Sequence, residues 1–240
     1  MQPTVTRVLR TAAAVAVVAL ASIALLWGSA VLGAASGARA GAAPSQTAQA
    51  RKALLVLSDM PSGWVKTKAP NNNTTVGASQ LAHCIGVAKS LITENPPSVN
   101  SPQFQNRQGT LLVNDNVTVF PSAKNATAEL DTVGNAKTPA CMTAVASGPL
   151  KAKFLGGFPK GVTAGTPLVS ATDPATFGTG TAGYSLSVPV TTHGVTINLT
   201  VTSVFAVKGR LGHQITFTSI GLPFSIALEG HLSSVAVGRL

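Results

Sequence analysis

The sequence predicts an α+β sandwich in which helices pack on an antiparallel sheet. Three observations carry that expectation. Apolar residues recur at helical spacing through most of the first half, and side-chain character alternates with period two from Tyr184 to Phe217. Two cysteines sit in a chain whose start reads as an export leader. Of 240 residues, about 200 belong to the part that folds, enough for one buried core and short of the size at which chains usually split. Residues 47–240 are therefore expected to form a single extracytoplasmic domain, with 41–46 as a linker.

The leader is read from its three parts. Arg7 and Arg10 precede an uncharged run over residues 11–36, and Ala38-Arg39-Ala40 supplies a small-x-small site. That order describes a secretory signal peptide cleaved after Ala40. At roughly 24 residues the apolar run is also long enough to span a bilayer uncleaved, since about 20 suffice. Its preceding arginines would then stay in the cytoplasm and leave the domain outside. Residues 1–40 are thus a signal peptide, the favoured reading, or an N-terminal membrane anchor. No cysteine lies near the end of the run, which excludes a lipid-anchored cysteine. Cys84 and Cys141, in a chain that leaves the reducing cytosol, predict one disulfide.

The elements follow in order. Thr47–Leu57 places Ala50, Ala53, Leu54 and Leu57 on one helical face. Pro61-Ser62-Gly63 forces a turn, returning Trp64 as a packing anchor. Ser79–Ile92 carries Leu81, Cys84, Ile85, Ala88, Leu91 and Ile92 on one stripe, so Cys84 is expected to point inward. Gln103–Phe120 reads as extended, with Asn114-Asp115 as a bulge or a hairpin turn. Ser122 caps a helix to about Lys137, and Thr138-Pro139 restarts one with Cys141 in its first turn. Residues 148–167 read as a Gly/Pro-rich loop. Beyond it, Tyr184, Leu186, Val188 and Val190, then Val195 through Val207 at odd positions, then Leu211, Ile215 and Phe217 read as a meander with one oily face. Its turns are His193-Gly194 and Lys208-Gly209-Arg210. A closing helix from about Pro223 to Arg239 covers that face.

The chemistry-bearing residues are few. Gly178-Thr179-Gly180-Thr181-Ala182-Gly183 matches G-x-G-x-x-G, but a strand follows it where a phosphate site needs a helix N-terminus. Asp59, Glu94, Asp115, Glu129, Asp131, Asp173 and Glu229 are the only acids, scattered singly apart from Glu129 and Asp131 on the outer part of one helix, which read as solvated surface. No paired-carboxylate or metal site is expected from them, and no nucleophile elbow occurs in the mature chain. His213 and His231 each fall on an apolar stripe, so the closing helix could bring the rings together; buried, hydrogen-bonded histidine is the plainer reading. His83 and His193 read as exposed. Seventeen bases against seven acids give +10, and +7 once Arg7, Arg10 and Arg39 leave with the leader. The bases are dispersed apart from Lys151, Lys153 and Lys160 around Phe154 and Phe158, so no nucleic-acid partner is expected.

Ala53-Leu54-Leu55 through Asp59-Met60-Pro61-Ser62-Gly63-Trp64, then Leu81-Ala82-His83-Cys84-Ile85-Gly86, a second Cys in a later helix, and a final helix ending Arg239-Leu240 resemble actinobacterial exported sensor-domain-type proteins. They are similar to the PknH-type extracellular sensor domain and to LpqN-like lipoproteins. The resemblance implies an α/β/α sandwich over an antiparallel sheet and a sensing or ligand-binding role at the cell envelope. The sensor type usually carries a second disulfide and a kinase, and the lipoprotein type an acylated cysteine; this chain has neither. The leading expectation is a non-catalytic module without a cofactor or metal that binds an envelope lipid or glycan. The alternative is an adaptor for another envelope protein, and a hydrolase using His213 and His231 ranks third. Membrane contact is expected through the N-terminal apolar segment.

Overall fold

The computed structural model describes residues 44–68, 77–93, 96–148, 161–173 and 180–240. The leader, residues 151–160 with their lysines, and Gly178-Thr179 lie outside the described residues.

Three long strands form the centre: β7 (Thr181–Thr192), β8 (Val195–Lys208) and β9 (Leu211–Ile220), with β4 (Leu111–Val119) beside β9. On the outer edge of β4 pair two short strands, β2 (Ser98–Asn100) and β3 (Gln103–Gln105), and β1 (Val65–Thr67) extends β3. On the outer edge of β7 pair β5 (Val162–Ala164) and β6 (Leu168–Ala171). Strand order is β1-β3-β4-β9-β8-β7-β5 with every pairing antiparallel. Short, interrupted flanking strands blunt the edges against pairing with other chains.

Turn length fixes which residues face which layer. Thr192 pairs with Val195 across His193-Gly194, both at positive φ, and Lys208 pairs with Leu211 across Gly209-Arg210. Each two-residue turn opposes an even position to an odd one. Even residues of β7, odd residues of β8 and even residues of β9 therefore share a face. The expected single oily face is corrected accordingly: Leu211, Ile215 and Phe217 lie on the side opposite Leu199, Val201 and Phe205. Both faces are buried, which is what an α/β/α sandwich requires.

On one face Tyr184, Leu186, Val188, Leu199 and Val201 pack with Leu81 and Ile85 of α2 (Ala78–Ile85), Val133 of α4 (Ala123–Val133), and Met142 and Val145 of α5 (Thr138–Ser147). On the other, Val113, Val204, Ile215 and Phe217 pack with Phe224 and with Leu232 and Ala236 of α6 (Ile226–Arg239). Val117, Val119 and Leu211 pack there with Ala50 and Ala53 of α1 (Pro44–Ala53). The fold class is as the sequence predicts. The disulfide is also present, Cys84 to Cys141 with Cα atoms 5.7 Å apart, and it pins α2 to α5.

Element ends differ for identifiable reasons. Residues 44–46, expected in the linker, form the first turn of α1. That helix stops at Ala53, because the Leu55 amide bonds a side chain of β4 and the Leu54 carbonyl accepts from Arg239. Gly86, at φ 85°, ends α2, and α3 (Lys89–Thr93) follows as a separate turn. Cys84 consequently lies on the exposed side of α2, contrary to expectation, and only Cys141 is buried. Ser122 caps α4 by accepting from the Asn125 amide, but the helix ends at Val133 before Gly134. Thr138 does not cap α5; its hydroxyl donates to the Thr132 carbonyl. Asn114-Asp115 is neither bulge nor turn: β4 runs straight through it, and the hairpin turn is Asn106–Gly109, where the Asn106 side chain accepts from the Thr110 and Leu111 amides. Gly180 leads directly into β7, the strand context that disfavours phosphate binding. A Cβ at Gly183 would sit on the Ser203 carbonyl, so that glycine serves strand approach.

Candidate functional site

Two polar assemblies stand out, one on each face of the sheet. The first joins Asp115 of β4 to His213 of β9, 98 residues apart, with Nε2 and Oδ2 at 2.7 Å. Asp115 Oδ2 also accepts from the Leu55 amide at 3.0 Å, and its own amide donates to Ser101 Oγ. The two residues are 1% and 2% exposed. Asp115 occupies the same face as Val113 and Val117, so the alternation of β4 places it inside. Arg239 closes the segment from outside, forming two bonds to Asp59 and one to the Leu54 carbonyl. Burial pushes the Asp59 carboxyl up, but the bond from Arg239 and the Val56 amide outweigh it and hold the carboxyl below its ordinary value. Hydrogen bonding to Asp59 raises Arg239 in turn.

An aspartate-oriented histidine is the base half of a nucleophilic triad. Here the pair is sealed beneath α1 and α6, and His213 Nδ1 has no hydrogen-bond partner among the described residues. The pair acts as a clamp holding the α1 exit on the sheet. His231 is exposed on α6 and does not join it, so the expected His213/His231 site does not form. Among the described residues no cluster of three or more His, Cys, Asp or Glu is placed to hold a metal. His83 and His193 are exposed as predicted.

The second assembly is a recess under α4, on the opposite face, enclosing about 20 Å³. Its floor is Asn116, Thr118, Gly212 and Gln214; Glu129 and Leu130 of α4 stand over it, with Phe120 and Phe205 as aromatic walls. Gly212 is required, since a Cβ there would lie 2.5 Å from the Phe120 ring. The Asn116 side chain is saturated, donating to Val99 and Asn100 and accepting from Thr118. Gln214 is 7% exposed and lines the recess. Space for about one water molecule lies beside it. Sequence reading missed Gln214, although Gly212, Gln214, Thr216 and Thr218 form a polar run at alternate positions of β9.

No known family model matches the chain, and no curated protein matches it. Among solved structures, the extracellular domain of PknH from Mycobacterium tuberculosis is similar at 9% identity, covering 67% of this chain and 89% of that one, with a TM-score of 0.34. That is a low-level likeness of fold alone.

Proposed function

We propose that this protein is an exported, disulfide-stabilised binding or sensing module of the cell envelope, without catalysis of its own, that takes a polar group of its ligand into the recess beside Gln214. The Gln214 carboxamide carries the reading: it belongs to a residue on the floor of the recess, and it offers both a donor and acceptors to an incoming hydroxyl or amide. Phe120 and Phe205 supply apolar walls, and Glu129 a charged rim. The crosslink between Cys84 and Cys141 supports a compartment outside the reducing cytosol.

Thermal-shift screening of the exported protein against envelope glycans and lipids tests this. The expected result is a saturable stabilisation that Gln214→Leu removes while leaving the unliganded melting temperature near wild type. Flat curves across the panel, or a hit indifferent to Gln214→Leu, would overturn it.

A further inference from the structure

The end of the sheet away from the recess carries an exposed apolar surface. Ile220 donates to the Thr110 carbonyl, which brings the end of β9 against the β3–β4 turn. The chain then passes through Leu222, 75% exposed, and Phe224 to Ile226, 71% exposed. Phe224 is buried, and its ring lies 6.2 Å from that of Trp64. Val65, next along, is 45% exposed. The exposed cations beside these residues are Lys66, and Arg107, whose Nε lies 3.2 Å from where a Gly63 Cβ would be. Among the described residues neither cation has a carboxylate within ion-pair distance. Glu229, one turn after Ile226 in α6, is half-buried, and burial pushes its carboxyl up to about 7. The surface is therefore apolar and positive, and the Glu229 carboxyl is weakened as an acid.

We infer that this end of the molecule docks on an anionic lipid surface, with Leu222 and Ile226 entering the headgroup boundary, Trp64 behind them, and Lys66 and Arg107 meeting lipid phosphates. Exposed aliphatic side chains partition into that boundary, and a tryptophan beside them prefers it. Each basic residue near an anionic leaflet adds attraction within a Debye length. A bilayer supplies apolar depth and negative charge over one surface, matching both properties of this end, and the net charge of +7 that the chain carries without Arg7, Arg10 and Arg39 has the complementary sign. The surface is distinct from the Gln214 recess, and from the N-terminal apolar segment: α1 packs by Ala50 and Ala53 toward Val119 and Leu211, the far end of the sheet.

The test uses the full chain with Trp27→Phe, which leaves Trp64 as the only tryptophan. The protein is reconstituted with vesicles of equal phosphatidylglycerol and phosphatidylcholine, brominated in the acyl chains, or of phosphatidylcholine alone. The expected result is quenching of Trp64 in the anionic vesicles, loss of quenching in Leu222→Ser/Ile226→Ser and in Lys66→Glu/Arg107→Glu, and weakening in 0.5 M salt. All four positions are exposed, so the variants retain the wild-type melting temperature. Trp64 unquenched in anionic vesicles would overturn the inference, as would quenching unchanged in Leu222→Ser/Ile226→Ser. Recovery of a stoichiometric protein crosslinked at position 222, with Trp64 unquenched, would assign the surface to a protein partner instead.

Discussion

Replacing Asp115 by alanine leaves its backbone bonds to Ser101 in place and removes only the carboxylate. Two groups are then stranded in a space sealed from water, the Leu55 amide at 3.0 Å and His213 Nε2 at 2.7 Å. An unsatisfied buried donor or acceptor costs about 1–3 kcal/mol, and breaking a buried pair by removing one partner about 3–5 kcal/mol. Asp115→Ala is therefore expected to lose about 4 kcal/mol, a large share of the roughly 5–15 kcal/mol that holds a typical domain together. For a domain of this size that lowers Tm by about 10–15 °C. Urea denaturation followed by circular dichroism measures the loss. Hydrogen exchange at Leu55 adds a local reading, because this amide should lose protection by more than its neighbours in β4. His213→Leu should cost a comparable amount, while Asp115→Ala/His213→Leu should cost about 2 kcal/mol less than the sum of the two single changes, since it removes both partners together. A loss below about 1 kcal/mol in Asp115→Ala, the size expected of a solvated surface carboxylate, would refute the clamp. So would strict additivity in the cycle.

Two further outcomes follow from the same structure. Cys84→Ser/Cys141→Ser opens a loop of 57 residues and should lower stability by about 4 kcal/mol on the chain-entropy model; an unchanged urea midpoint would show that α2 and α5 are held together without the bond. Glu229 has an ordinary value of 4.5, raised by burial to about 7. The folded state thus holds a proton that the unfolded chain has released, and stability falls as pH rises from 4.5 to about 7. Because the side chain is only half-buried, solvent screening reduces the effect to about 1 kcal/mol. Glu229→Gln should therefore stabilise the protein by about that amount at pH 8 and by almost nothing at pH 4. Equal stabilisation at both values would contradict the assignment.

Local periodicity carried much of the fold. The stripe of Leu81 and Ile85, the cap at Ser122 and the alternation of β7 each depend on neighbours within a few residues, and they formed as read. Errors arose where a distant partner competed with a local preference. Thr47–Leu57 has helical spacing to its end, yet the helix gives way at Ala53 because Asp115, 60 residues away, takes the Leu55 amide. The error at Leu211, Ile215 and Phe217 was of another kind, since a two-residue turn reverses parity and that turn was on view in the sequence. Of the two polar assemblies, His213 was singled out but paired with the wrong residue, and Gln214 went unnoticed.

The sequence by itself determined the α+β class and the crosslink, because hydrophobic period and cysteine count act over short range or through the whole chain at once. Only the tertiary structure decided that Asp115 meets His213, that Gln214 lines a recess under α4, and that Leu222 and Ile226 stay in solvent. Those outcomes depend on which strand lies beside which and on what a helix fails to cover, and registers spanning about 100 residues leave no local trace.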